Sequence, residues 1–99
     1  MTTPLKPKTT REKIRTCIVY RTLAKNLKSE VEKSNYNESD VPQFEACVFS
    51  DGRVAQRWLT ETGSMVWWDD WKSLCKVHIY AHPDYGTKVV WSDGKEELL

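Results

Sequence analysis

The chain has 99 residues, of which 39% are hydrophobic and 29% charged, enough for one domain with a modest core. No apolar run approaches a membrane-crossing helix, and the opening Met-Thr-Thr-Pro-Leu-Lys-Pro-Lys lacks the apolar centre of a signal peptide, so a cytoplasmic protein is expected. The net charge of +1 hides an asymmetry: residues 1–28 hold eight basic side chains against Glu12, a net of +7, which leaves −6 for residues 29–99. Such a split suits an acidic partner, or the acidic half of a second copy.

Residues 1–8, with two prolines and two lysines, read as a flexible arm ahead of a single domain over 9–99. Thr9-Thr10-Arg11-Glu12 fits a capping box, and a long helix is predicted over 9–33. Cys17, Tyr20, Leu23, Ala24, Leu27 and Val31 would gather on one face of it, and Arg11, Arg15, Arg21, Lys25 and Lys28 on the other. Ile14 and Ile18 would fall among the basic residues, where a monomer leaves them wet. That makes Ile14, Ile18, Arg21 and Lys25 candidate interface residues of a homo-oligomer. Residues 14–22 are also dense in β-branched side chains and compete as a strand. The cap and the helix formers of 23–33 favour the helix.

Residues 34–43 are polar and connect to a hairpin over 44–59, turned at Ser50-Asp51-Gly52. A two-residue turn would set Arg57 on the apolar face. A type I turn closed by a left-handed Gly52 shifts the pairing by one residue. Phe44, Ala46, Val48, Val54, Gln56 and Trp58 then share one face, with Glu45 opposite Arg57 on the other. The second register buries more apolar area and pairs opposite charges, and is preferred.

A unit of strand, helix and strand is predicted over 64–91. Residues 64–68 form the first strand, and Asp69 or Asp70 caps a short helix over 71–79 with Trp71, Leu74, Cys75 and His78 inward. A turn at His82-Pro83-Asp84-Tyr85-Gly86 leads to a strand over 87–91. Ser92-Asp93-Gly94 repeats the earlier turn tripeptide, with a frayed acidic tail or a short added strand after it. The predicted order is α-β-β-β-α-β, an α+β domain with a mostly antiparallel sheet.

Few residues invite catalysis. Cys75, His78, His82 and Asp84 have zinc-like spacing, but Pro83 pulls His82 out of the helix and no second cysteine pair exists, so no metal or cofactor is expected. Cys75 and His78 lack an orienting third group for nucleophilic work, and a non-enzyme is expected. Cys17, Cys47 and Cys75 are odd in number and far apart, as reduced thiols are. The five tryptophans suit a core, or a stacking platform. Strand alternation sends Trp67 and Trp68 to opposite faces, which frees one of them for a ligand or a subunit interface. Arg53 and Arg57 on the outer hairpin face can bind phosphates bidentately, with Trp67 or Trp68 and Tyr85 stacking a base. The plain alternative is a surface pair between Glu45 and Arg57, worth little.

The hairpin Phe49-Ser50-Asp51-Gly52-Arg53-Val54-Ala55-Gln56-Arg57-Trp58, the strand Ser64-Met65-Val66-Trp67-Trp68, His78 near a helix end and Val89-Val90-Trp91 resemble a family of short proteins of phages and their bacterial hosts. The resemblance covers residues 44–93, and the long N-terminal helix departs from it. It implies work in the host cytoplasm, and it raises two roles known among phage proteins of this size. One is an oligomer that sequesters cyclic nucleotide or cyclic ADP-ribose signals of bacterial immunity without catalysis. The other is an inhibitor or adaptor that binds a host protein, here through the basic helix. Nucleic-acid binding is a weaker third reading, because the overall charge is near neutral.

Overall fold

A computed structural model describes residues 13–23 and 37–99. Among them, six strands form one sheet in the order β4-β3-β2-β1-β5-β6, with every neighbouring pair antiparallel. The strands are β1 (Arg15–Arg21), β2 (Phe44–Val48), β3 (Val54–Trp58), β4 (Met65–Trp68), β5 (Thr87–Trp91) and β6 (Glu96–Leu98). One helix, α1 (Trp71–His78), follows β4 and covers one face. None of the described helices is long and apolar enough to cross a membrane.

The N-terminal element differs from the expected helix. Residues 15–21 are a strand in the middle of the sheet, so the order among the described residues is β-β-β-β-α-β-β, and the α+β reading with a long first helix is corrected to a six-stranded antiparallel sheet with one short α-helix among those residues. The physical reason lies in residues 14–22 themselves. Their β-branched side chains favour extended backbone, and their burial alternates: Cys17, Val19 and Arg21 are buried, whereas Thr16 and Ile18 are exposed. Pairing with β2 on one side and β5 on the other satisfies both edges of the strand, which a helix cap of about 1 kcal/mol cannot match. The expected arm at 1–8, the capping box and the remainder of the predicted helix, with Lys25 and Lys28, lie outside the described residues.

The two Ser-Asp-Gly tripeptides fold alike. The Phe49 N–H donates to the Arg53 carbonyl at 2.8 Å and the Gly52 N–H to the Phe49 carbonyl at 2.9 Å. The Trp91 N–H donates to the Lys95 carbonyl at 2.8 Å and the Gly94 N–H to the Trp91 carbonyl at 2.9 Å. In each, the aspartate accepts from the backbone N–H two residues on, Asp51 from Arg53 at 3.0 Å and Asp93 from Lys95 at 2.9 Å. Gly52 and Gly94 take φ of 90° and 92°, the left-handed position that closes the bulge. The first hairpin therefore has the register that turn chemistry predicted, Phe44 with Trp58, Glu45 with Arg57 and Val48 with Val54. The second ends in the short strand β6.

The core lies between α1 and the inner face of the sheet. Phe44, Val19, Val54, Leu74 and Val89 are fully buried, with Ile79 at the helix end. Each such side chain contributes about 1.5–3 kcal/mol by leaving water. Asp70 caps α1 as expected, its carboxylate accepting from the Ser73 N–H at 2.7 Å. The predicted turn before β5 is a 3-10 turn, Pro83–Tyr85, closed by a left-handed Gly86.

Candidate functional site

The sheet has a second face, which α1 does not cover, and its side chains follow from strand alternation. One row runs Met65, Arg57, Glu45, Ile18, Val90 across β4, β3, β2, β1 and β5. The adjacent row runs Trp67, Ala55, Cys47, Thr16 across β4 to β1. The first row is long and mixed in character. In the second, three small side chains stand next to one large ring. Small residues beside long ones leave a trough of about 660 Å³, floored by Thr16, Cys47 and Ala55 and walled by Ile18, Glu45 and Arg57. That volume falls among small-molecule sites, which span roughly 300–1,000 Å³.

Arg57 is the cation of this trough. It is exposed, and its register partner Glu45 forms no ion pair with it among the described residues. The alternative of a surface pair between them is therefore not formed, and the guanidinium is open to an anion. At the hairpin end of the floor stands Trp67, 69% exposed, the most exposed of the large hydrophobic side chains apart from Leu98. Phe49 stacks on it at 6.4 Å between ring centres and 17° between planes. The two rings present a flat apolar platform two residues along β4 from Met65.

The other predicted site residues are placed elsewhere. Arg53 pairs with Asp51 in its own turn, Nη1 to Oδ2 at 3.3 Å. Trp68 points to the inner face, where its Nε1 donates to Gln56 Oε1 at 2.8 Å. Tyr85 lies in the 3-10 turn, where His82 stacks on it at 4.5 Å and the Arg21 guanidinium sits 4.8 Å from its ring. Arg21 itself is 3% exposed, and its Nη2 donates to the His78 carbonyl at 3.2 Å. It holds the core end of β1 and presents no basic surface, which corrects its expected interface role. Ile14 and Ile18 are exposed at 60% and 39%, with Ile18 in the wall of the trough. Thr16, Cys47, Ala55 and Met65 were not anticipated. The signal for Thr16 was available in the two-residue alternation of β1.

The cysteine and histidine set does not assemble. Burial pushes the Cys17 thiol up to about 12, and burial followed by the Glu97 carboxylate pushes Cys75 up to about 11. Both stay protonated near neutrality, so Cys75 is no activated nucleophile for His78. His78 packs edge-on against Trp58 and Trp68, with ring centres at 5.0 and 5.5 Å. Burial, then the Arg21 and His82 charges, lowers its pKa below 6.5. Among the described residues no three His, Cys, Asp or Glu side chains converge as metal ligands.

A family model described as Acb5 phage protein matches residues 44–93, about half the chain, from β2 through the turn after β5. The matched segment carries every trough residue except those of β1. No curated protein and no solved structure gives a significant match.

Proposed function

We propose, because the chain belongs to the Acb5 phage protein family, that it is a non-catalytic binding protein of phage anti-defence. In this reading it captures a nucleotide-derived anionic signal of host immunity, of the cyclic nucleotide or cyclic ADP-ribose type. The observation that carries it is the open guanidinium of Arg57 in a trough of about 660 Å³, next to the exposed Trp67–Phe49 stack. A guanidinium grips a phosphate with two parallel hydrogen bonds, and a flat ring offers a base its apolar face. The floor of Thr16, Cys47 and Ala55 lets a planar ligand approach the sheet closely. Arg53, Trp68 and Tyr85 have no part in this version of the site, because each is engaged elsewhere.

Calorimetry with cyclic dinucleotides and cyclic ADP-ribose isomers tests it. Wild-type protein should give saturable heat with one of these classes. Arg57→Gln should bind about tenfold more weakly or worse, the value of one charge-assisted bidentate contact. Trp67→Ala should weaken binding by a similar factor. Absence of heat from every class, with folded protein, overturns the ligand reading.

A further inference from the structure

The two edges of the sheet are built differently, and the difference assigns a partner to one of them. In β4 the Trp58 N–H donates to the Ser64 carbonyl at 2.8 Å, and Val66 stands opposite Gln56. Backbone groups of an antiparallel strand turn alternately to its two sides. Ser64, Val66 and Trp68 therefore direct theirs to β3. Met65 and Trp67 direct theirs outward, and among the described residues no strand pairs with them. That edge, Ser64-Met65-Val66-Trp67-Trp68, has no charge and no proline. Charges and prolines are two of the devices by which proteins keep an exposed edge from pairing.

We infer that two copies of this chain pair through β4, antiparallel about a two-fold axis at Val66, with Met65 of each hydrogen-bonded to the partner's Trp67. The register follows from three constraints. The inner face must continue as inner face, so facing residues share parity and the axis passes through a residue. Centred on Val66, Met65 and Trp67 face each other and all their outward N–H and C=O groups are satisfied, four hydrogen bonds in total. Centred on Trp67, only that residue's groups pair, and Met65 meets the partner's Asp69. The same operation on β6 would set Glu97 against the partner's Glu97, a like-charge contact that blocks that edge.

The pairing also changes the open face. Met65 of one copy lies beside the partner's Trp67, a sulfur–ring contact that covers part of the exposed indole. The two troughs join across the axis, so the aromatic end of each is built by both copies. The inference stands apart from the ligand reading: its measurements need no ligand, and a negative calorimetry result leaves them intact.

Sedimentation of the full chain tests the pairing. Wild type should run as a dimer or an even multiple of one. Met65→Pro should halve the mass with unchanged circular dichroism, since the lost N–H points away from β3. Met65→Lys serves the same purpose should the proline variant unfold. In a Cys47→Ser background, Val66→Cys should give a covalent dimer on oxidation, because facing residues across a non-hydrogen-bonded pair stand about 4.5 Å apart at Cα, within disulfide reach. A monomeric wild type, or a dimer that survives both Met65 substitutions, overturns the inference. A dimer that Val66→Cys fails to link overturns the register.

Discussion

The two faces of this sheet are made by the same strands and obey opposite rules. On the inner face, α1 closes over Phe44, Val19, Val54 and Val89, and two of the polar side chains that enter are tethered: Gln56 through its Oε1 by Trp68, and Arg21 by the His78 carbonyl. On the outer face, small side chains lie beside long ones, Arg57 has no ion-pair partner among the described residues, and Trp67 is mostly in water. Residues one position apart thus face the packed core and the open trough in turn. The arrangement separates the core from the face proposed to bind, so a substitution should disturb one and spare the other.

The largest test of that separation is core truncation. Phe44→Ala should cost about 3–5 kcal/mol in urea unfolding, through lost transfer energy and the cavity left behind. Ile18→Ala, one position out of register with the core on β1, should cost well under half of that. Equal losses would erase the distinction between the faces.

The neighbouring tryptophans sharpen it. Trp68→Phe removes the donor to Gln56, whose Nε2 is already buried without a partner, so the whole amide becomes unsatisfied. About 1–3 kcal/mol should be lost. Trp67→Phe leaves every inner contact in place and should stay within roughly 0.5 kcal/mol of wild type, as surface changes do. Matching thermal shifts in the two variants would count against the assigned orientations.

The smallest expected effect is in pH. His78 has a lowered pKa in the fold, so the unfolded chain binds its proton more readily. Stability from this group is complete above about pH 6.5 and declines as pH falls from there toward the folded value. A pH series of denaturant midpoints should show that decline in wild type and a weaker one in His78→Phe. A decline that survives the substitution unchanged would assign it to other groups.

Much of this fold was legible because turns and caps are short-range. Gly52 must adopt positive φ and Asp51 must reach the N–H two residues on, and both requirements sit within a few residues. The capping of α1 by Asp70 is legible for the same reason. Half of the candidate site followed from the hairpin register, which put Arg57 outward opposite Glu45. The other half was hidden. Thr16 and Ile18 belong to a segment whose helical and extended patterns competed, and its partners β2 and β5 lie far along the chain.

The amino-acid order by itself determined both Ser-Asp-Gly turns, the start of α1 and the opposition of Trp67 to Trp68, because bonded geometry and hydrogen bonds over two or three residues dictate them. For residues 15–21 the sequence offered both a helix and a strand, and tertiary pairing decided between them. A strand gains its hydrogen bonds only from neighbours distant in sequence, and only their pairing brings Thr16, Cys47 and Ala55 into one floor beside Arg57.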